Sequence, residues 1–297
     1  MVLPFLAACG AASHAPPYAG DGPIAHPRIF APGAVSTADP EFAISFAPDG
    51  TTAYFDRANA DRSKFAIIAS VFANGAWQPA TPLPFSTGEF RDVDPFAAGD
   101  RVYFSSNRPR PGSPDTDFDT WYVVRRGASW SEPVHVDGAP SGPGNQVFVT
   151  IARDGMLYFQ SDASGGGDVY RAAPAVAASD GAIGYPAAAP LDGISTAASE
   201  SNPAISPDGT LLVFVSDREG GLGGADLYLS RLRDGAWSPA ANLGDLVNSS
   251  FADFAPAFSP DGRYLFFTSE RPGVAPTPAS GRPPGDIYQI DVAALRG

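Results

Sequence analysis

The chain has 297 residues and carries 19 basic against 32 acidic side chains, a net charge of −13. This acidic balance argues against binding to nucleic acid and against direct adhesion to anionic lipid. The three histidines (His14, His26 and His135) and the single cysteine show no metal-ligand spacing, so a zinc site is not expected. The 32 glycines and 31 prolines supply the turns that a protein of many short strands requires.

The N-terminal residues Leu6–Cys9 (L-A-A-C) resemble a bacterial lipobox, in which the cysteine is lipidated and becomes the new N-terminus. A plain apolar terminus is the alternative, because the apolar stretch is short and no Lys or Arg precedes it. Cys9 has no disulfide partner in the chain, which favours lipidation. We predict a signal segment over residues 1–9, a flexible Pro/Ala/Gly-rich tether over 10–27 and one globular domain over 28–297.

One pattern recurs along the domain: two short strands joined by a tight turn, then a loop and a third strand. Its clearest copy begins at Glu200, with Pro207-Asp208-Gly209 as the turn and the apolar run Leu211–Val215 as the second strand. The turn aspartates are separated by 51, 54, 54 and 53 residues: Asp49, Asp100, Asp154, Asp208 and Asp261. A fixed period in this range, built of strands, predicts the blades of a β-propeller.

The outer strands of each repeat carry their own signature. In four repeats the third strand begins with an aspartate that is followed two residues later by an aromatic residue, whereas the first repeat has Ala66 there. These aspartates are Asp119, Asp168, Asp226 and Asp286. In three repeats a tryptophan marks the predicted fourth strand: Trp77, Trp130 and Trp237. Aromatic residues at such a fixed spacing are typical of packing between blades. We predict an all-β, five-bladed propeller of four-stranded blades, in which residues 28–36 supply the outer strand of the last blade and close the ring.

The combination of x-x-P-x-F-S-P-D-G, an aromatic strand, S-D-R, a Gly-rich loop and D-I-Y resembles the WD-like repeat of TolB-type propellers over residues 41–292. TolB has six blades and an additional N-terminal domain, so the chain is TolB-like without matching the whole pattern. The resemblance implies a periplasmic monomer with envelope-protein or peptidoglycan-associated partners. Cys9 would anchor it to a membrane, and Gly10 favours the outer one. The repeat is specific for fold and not for function, because propellers host scaffolds and enzymes alike.

Each repeat opens with a polar residue eight positions before its turn aspartate. The first strand of a propeller blade is innermost, so these residues are predicted to ring one mouth of the central channel. They are Glu41, Asp92, Gln146, Glu200 and Asp253. Asp94 and Asn202 lie two positions further along and are expected to face the same way by strand alternation. These seven residues form the predicted ligand-binding set.

Three roles are open for the four carboxylates of the ring. They accept hydrogen bonds from backbone N–H groups of a neighbouring blade, or they hold a cation, or they hydrolyse glycosides, which requires two acids about 5–10 Å apart. A catalytic pair should combine one strongly raised pKa with an open pocket, whereas structural carboxylates should be sealed by donors. We expect a binding scaffold without catalytic residues. The alternative is a carbohydrate-active, glycosidase-like propeller or one that binds carbohydrate or a cation through the acidic ring.

The scaffold interpretation requires no cofactor. If a metal ion binds, we expect it to be calcium, because the acidic residues offer the oxygen ligands that calcium takes. Residues 115–119 begin like the calcium-binding loop of an EF-hand. They depart from it at the sixth position, which is Thr120 instead of glycine, and at the twelfth, which is Arg126 instead of glutamate.

Overall fold

The computed structural model describes residues 16–20, 22–110, 116–175, 184–277 and 281–296. They form a five-bladed β-propeller in which every blade is an antiparallel sheet. The first strand, β1 (Arg28–Ile29), pairs with the last blade. Besides the strands, the described residues contain one short α-helix, α1 (Gly244–Val247), and two 3-10 turns, at Ala139–Ser141 and Val292–Arg296.

The five blades follow one another along the chain. Blade one contains β2 (Glu41–Phe46), β3 (Thr52–Ala58), β4 (Phe65–Ala73), β5 (Ala76–Trp77) and β6 (Thr81–Pro82). Blade two contains β7 (Asp92–Ala98), β8 (Arg101–Ser106), β9 (Asp119–Arg126), β10 (Ser129–Trp130) and β11 (Val134–His135). Blade three contains β12 (Gln146–Ile151), β13 (Leu157–Ser161), β14 (Asp168–Ala172) and β15 (Ala188–Pro190). Blade four contains β16 (Glu200–Ile205), β17 (Leu211–Ser216), β18 (Asp226–Arg233), β19 (Ala236–Trp237) and β20 (Ala241–Asn242). Blade five contains β21 (Asp253–Phe258), β22 (Tyr264–Ser269) and β23 (Asp286–Asp291).

The predicted ring closure is confirmed. The first strands of neighbouring blades contact one another all the way round, in the order β2, β7, β12, β16, β21 and back to β2. Blade five receives its outer strand from β1, with Arg28 opposite Gln289 and Ile29 opposite Tyr288. The first and last strands of the described residues therefore lie in one sheet, and this pairing covers the edge of β23.

The tight turn between the first and second strands follows the predicted chemistry. Gly209 has a φ of 74°, which an L-residue adopts only with strain. Asp208 accepts hydrogen bonds at Oδ1 from the Ser206 and Thr210 side chains and from the Thr210 backbone N–H. The same turn recurs around Gly50 and Gly262, at φ values of 71° and 73°.

The fourth strand is divided in three blades. Trp77, Trp130 and Trp237 each begin it as predicted, but a second short piece follows after a gap. Each gap contains a proline, which lacks the N–H that a ladder requires: Pro79, Pro133 and Pro239. The tryptophans pack between blades as expected. Trp130 of blade two lies 6.0 Å from Tyr54 of blade one, and Trp237 of blade four lies 6.4 Å from Tyr158 of blade three, measured between ring centroids.

The second half of the predicted tether packs against the ring. Tyr18 and Ile24 are 3% and 5% exposed and belong to the core between blades five and one. The backbone of Ile24 exchanges two hydrogen bonds with Asp291: its N–H donates to the carboxylate and its carbonyl accepts from the Asp291 N–H. The folded unit thus begins before residue 28, because these two apolar side chains find a site in the core. Cys9 and the predicted signal segment lie outside the described residues.

In the described part of the chain, no helix has the length and apolar character needed to cross a bilayer.

Candidate functional site

The residues that open the five first strands lie at one end of the ring and are fully buried. The exposure of Glu41, Glu200 and Asp253 is 0%, and that of Asp92 and Gln146 is 1%. Four of the five are acids, and a buried carboxylate is costly unless it is paired and hydrogen-bonded. Their partners therefore decide whether these acids can act on a ligand.

Each of the four carboxylates forms an ion pair with an arginine at the end of the second strand in its own blade. Glu200 Oε1 lies 2.9 Å from Arg218 Nη2 and also accepts a hydrogen bond from the Ser216 hydroxyl. The other Arg–acid pairs are Arg57–Glu41, Arg108–Asp92 and Arg271–Asp253, at 2.9, 2.7 and 2.7 Å. Sequence reasoning expected donors from a neighbouring blade, whereas the main charged donor comes from the same hairpin.

A residue four positions earlier supplies further donors in three blades. The Thr196 backbone N–H and hydroxyl donate to Glu200 at 2.7 Å each. Thr37 does the same for Glu41, and Ser249 for Asp253. These hydrogen bonds fix the segment that leads from one blade into the next.

Blade three lacks both members of the Arg–acid pair. Its first residue is the neutral Gln146, and its second strand is followed by Ala163 where the blades with Arg108, Arg218 and Arg271 have their arginine. Gln146 donates instead to the Pro143 carbonyl and the Ser161 hydroxyl. The arginine is thus present where the acid is present, as expected of a structural pair.

Glu41 differs from the other three acids. Its arginine, Arg57, lies two positions earlier in the second strand, at the place where the other blades have a serine. Burial raises the pKa of Glu41 to about 7, against the opposing hydrogen bonds of Thr37 and the charge of Arg57. Glu41 thus combines an ion pair with a raised pKa.

The centre of the predicted acidic mouth is apolar. Phe42, Phe148 and Phe254 meet there, and the Phe42 and Phe254 ring centroids lie 5.8 Å apart. Phe42 and Phe148 are 7% and 5% exposed. The structure brings the opening residues of the blades to one end of the ring, but aromatic side chains occupy its middle.

Asp94 and Asn202 do not continue the face of Asp92 and Glu200 as strand alternation predicted. They occupy the extra residue of a β-bulge, with φ values of 57° and 47°. A bulge interrupts the alternation of side chains, so the residue two positions on is directed elsewhere. Every first strand carries this bulge, and the residues at the bulge position are Ala43, Asp94, Phe148, Asn202 and Ala255.

The five bulges form a ring of hydrogen bonds between blades, which we call the bulge ring. Each bulge residue donates its N–H to a side chain of the preceding blade. The donor–acceptor pairs are Ala43–Thr268, Asp94–Asp56, Phe148–Ser105, Asn202–Gln160 and Ala255–Asn202, at 3.3, 2.8, 3.1, 3.4 and 3.3 Å. Sequence reasoning missed Asp56, the acidic acceptor among them.

Asp56 and Asp94 form a pair of interacting carboxylates in the bulge ring. Asp56 is 1% exposed, and its Oδ1 has no hydrogen-bond partner among the described residues. Burial, followed by the charge of Asp94, raises the pKa of Asp56 well above its ordinary value. Burial also raises the pKa of Asp94 to about 7, although the Ser105 hydroxyl and Arg91 oppose it. The signature of a perturbed acid pair thus belongs to Asp56 and Asp94 and not to the predicted ring of strand-opening acids.

The aspartates of the third strands organise loops. Asp226 accepts the backbone N–H groups of Leu222 and Gly223, and Asp286 accepts that of Val274. Asp119 is bonded by Arg110 and His135. Among the described residues no group of three or more His, Cys, Asp or Glu side chains is placed to hold a metal ion. Asp115 of the EF-hand-like segment lies outside the described residues.

The opposite end of the ring, where the tight turns lie, opens into a funnel of about 280 Å³. All five blades contribute apolar side chains to its wall, among them Phe46, Phe96, Ile151, Ile205 and Phe258. Arg153 also lines it, and the exposed turn aspartates are neighbours in sequence of its lining residues, so polar side chains lie around an apolar centre.

Comparison with known proteins bears on the fold. No family model matches the chain, and no curated protein matches it in sequence. Among solved structures, an α-L-arabinofuranosidase from Lactobacillus brevis is similar with a TM-score of 0.52 at 12% identity, over 84% of this chain and 90% of that one. The catalytic domain of the Coprinopsis cinerea GH62 α-L-arabinofuranosidase gives 0.51 at 13% identity, over 90% and 98%.

TolB from Acinetobacter baumannii is similar with a TM-score of 0.47 at 13% identity, over 85% of this chain. The chain spans 54% of the length of that TolB. At these identities the likeness to the two arabinofuranosidases is one of fold alone.

Proposed function

We propose that this protein is a non-catalytic binding propeller of the cell envelope, TolB-like in its repeats and anchored through Cys9. It would present a rigid disc to envelope proteins or peptidoglycan-associated components. The observation that carries the proposal is the sealing of the strand-opening acids. Glu41, Asp92, Glu200 and Asp253 are buried and held by arginines, so they support the ring instead of facing a substrate.

The envelope location rests on the lipobox-like residues Leu6–Cys9 and on the resemblance of the repeats. The apolar funnel at the turn end is the face we assign to partner contact, since buried apolar area with a polar rim is typical of protein interfaces. Calcium is not part of the proposal, because Asp56 and Asp94 alone supply fewer oxygen ligands than the six to eight that calcium takes.

The proposal is tested by sedimentation of the purified protein with peptidoglycan sacculi that either retain or have lost their associated proteins. We expect co-sedimentation with the protein-bearing sacculi, and loss of it in Phe96→Asp, which places a charge in the funnel wall. The matched control is Val71→Asp, at an exposed strand position away from the funnel. Absence of binding to both preparations would contradict the proposal.

A carbohydrate-active propeller is the second candidate, and the Asp56–Asp94 pair is the observation that favours it. A pair of interacting acids in which at least one pKa is raised is a recurring feature of glycosidase sites. The test is release of nitrophenol from 4-nitrophenyl α-L-arabinofuranoside and from other aryl glycosides. We expect none. Turnover by the parent protein that disappears in both Asp56→Asn and Asp94→Asn would contradict the scaffold proposal and support the carbohydrate-active one.

A further inference from the structure

Blade one departs from the repeat at two positions that face each other across β3 and β4. Arg57 stands where the other blades have a serine, and Ala66, paired with it, stands where they have the third-strand aspartate. Beside this pair lies a groove of about 680 Å³, within the roughly 300–1,000 Å³ typical of small-molecule sites. Both Arg57 and Ala66 line it.

The corresponding space is occupied in other blades. In blade two the Asp119 carboxylate bonds His135 and Arg110 there. In blade four Asp226 bonds Asn242 and two backbone N–H groups of its loop. Blade one has alanine in place of the aspartate and Pro82 in place of the histidine or asparagine, so no such polar cluster forms. The groove follows directly from these two replacements.

Two cationic side chains line the groove in an otherwise acidic protein. Arg57 and the exposed Lys64 line it together with one acid, Asp39, and Arg91 stacks on the rim residue Phe65 at 4.3 Å from its ring centroid. Arg57 donates to Glu41 through Nε, and its Nη2, which is buried, has no hydrogen-bond partner among the described residues. This guanidinium is less completely paired than Arg218, which also bonds the Ser216 hydroxyl and the Ile194 carbonyl.

The remainder of the groove is mainly apolar. Its walls are formed by Phe65 and Ile68 from the third strand and by Pro82, Leu83 and Pro84 from the link to blade two. An apolar wall beside two cations fits a ligand with an apolar body and one anionic end. A carboxylate is the anion we expect, because a guanidinium and an ammonium bind it directly, whereas a more heavily hydrated dianion would lose more on entering an apolar groove.

We propose that this groove of blade one is a binding site for a small carboxylate with an apolar body. The carboxylate contacts Arg57 and Lys64, and the apolar body lies against Phe65, Ile68 and Leu83. The site is separate from the funnel and from the bulge ring. It therefore goes beyond the scaffold role, and its failure would leave that role untouched.

The test uses 4-phenylbutyrate as the probe and 4-phenylbutyramide as its uncharged match, titrated by calorimetry and ligand-detected NMR on the purified protein. We expect the carboxylate to bind and the amide to bind at least tenfold more weakly. Lys64→Ala, which changes an exposed side chain, and Ala66→Asp, which restores the aspartate of the repeat, should each weaken binding of the carboxylate at least fivefold.

The ion-pair variants separate ligand contact from loss of stability. Arg57→Gln and Arg218→Gln break equivalent Arg–Glu pairs, but only Arg57 lines the groove. Binding should fall in Arg57→Gln and persist in Arg218→Gln, each measured below its melting temperature. Equal binding of acid and amide, equal loss in both arginine variants, or no binding up to 10 mM probe would each overturn the proposal.

Discussion

The Arg218 side chain connects several strands and loops of blade four. Its guanidinium bonds Glu200, the Ser216 hydroxyl and the Ile194 carbonyl, and it stacks over Tyr228 at 4.8 Å from the ring centroid. Arg271 repeats the pattern in blade five with Asp253, Ser269 and Tyr288. Each arginine thus joins the start of the first strand, the end of the second and the third strand of one blade.

Removing one such arginine should destabilise the whole ring. In Arg218→Met the Glu200 carboxylate stays buried without its counter-charge, for which we expect a loss of about 3 kcal/mol in the free energy of unfolding. Urea denaturation measures it, with Arg233→Met at an exposed position as the control. A loss below about 0.5 kcal/mol would mean that Glu200 is stabilised by Thr196 and Ser216 alone. The double variant Glu200→Gln/Arg218→Met should lose less than the sum of the single variants.

The acid pair of the bulge ring predicts a dependence of stability on pH. The pKa of Asp94 is raised to about 7 in the folded protein from 3.8, so the folded state keeps a proton that the unfolded state has released. The resulting stabilisation is complete below about pH 4 and is lost as the pH rises to about 7.

Asp94→Asn removes this dependence by placing there the residue that blade four already has, Asn202. We expect the variant to be more stable than the parent at pH 8 by at least about 1 kcal/mol, since one pKa unit corresponds to about 1.4 kcal/mol. Its advantage should disappear near pH 4. Denaturant melts at pH 4, 6 and 8 measure this, and parallel pH profiles for parent and variant would contradict it.

The blade as an element was largely predictable, because its signals are local. The turn aspartates, the tryptophans and the Asp-x-aromatic starts of the third strands each mark a position by its neighbours in sequence. The bulge was not predictable in the same way, since its five positions hold Ala, Asp, Phe, Asn and Ala, and no glycine marks the positive φ. A proline follows it in three blades, at Pro95, Pro203 and Pro256, and this was the only local sign of a ladder interruption.

The ion pairs and the Asp56–Asp94 pair could be predicted only with the register of the paired strands in addition to the sequence. Arg218 follows Glu200 by 18 residues, and only the strand pairing of Glu200 with Ser216 shows that the two meet. Asp56 and Asp94 belong to different blades, so no pattern within one repeat connects them. The predicted set therefore contained Asp94 but not Asp56, its partner in the perturbed pair.

The bulge position can be tested on its own. Ala43 has a φ of 47°, whereas Ala53 is a buried alanine within the regularly paired strand β3. Ala43→Gly should raise the free energy of unfolding by roughly 0.5–1 kcal/mol, because glycine adopts positive φ without strain. Ala53→Gly should lower it by a similar amount. Destabilisation in both variants would show that the Ala43 methyl group contributes more through packing than the backbone loses through strain.

At the scale of the molecule, the ring depends on residues that precede its first blade. Tyr18, Ile24 and Phe30 are buried between blades five and one, and β1 completes the last sheet. Burying each such side chain contributes about 1.5–3 kcal/mol. A domain that begins at residue 28 would lack two of these three buried side chains, Tyr18 and Ile24.

Truncation at two different residues separates the contribution of the buried Tyr18 and Ile24 side chains from that of the β1 pairing. A chain that starts at Arg28 should lose about 3–6 kcal/mol through the absence of Tyr18 and Ile24. A chain that starts at Ala31 should lose more again, because the outer strand of blade five is then missing. Equilibrium unfolding in guanidinium chloride compares both with the full chain. Equal stability of the full chain and the Arg28 chain would show that the N-terminal segment adds nothing to the ring.

The antiparallel pairing of β1 with β23 also sets how the protein responds to a pull on its N-terminal end. Tension there would reach blade five as a peeling motion, breaking contacts one after another instead of shearing a whole strand at once. The contacts of Tyr18 with Gln289 and of Ile24 with Asp291 come before β1 in that order and would bear the load first. Under such a load we expect blade five to lose its outer strand before the other blades lose theirs.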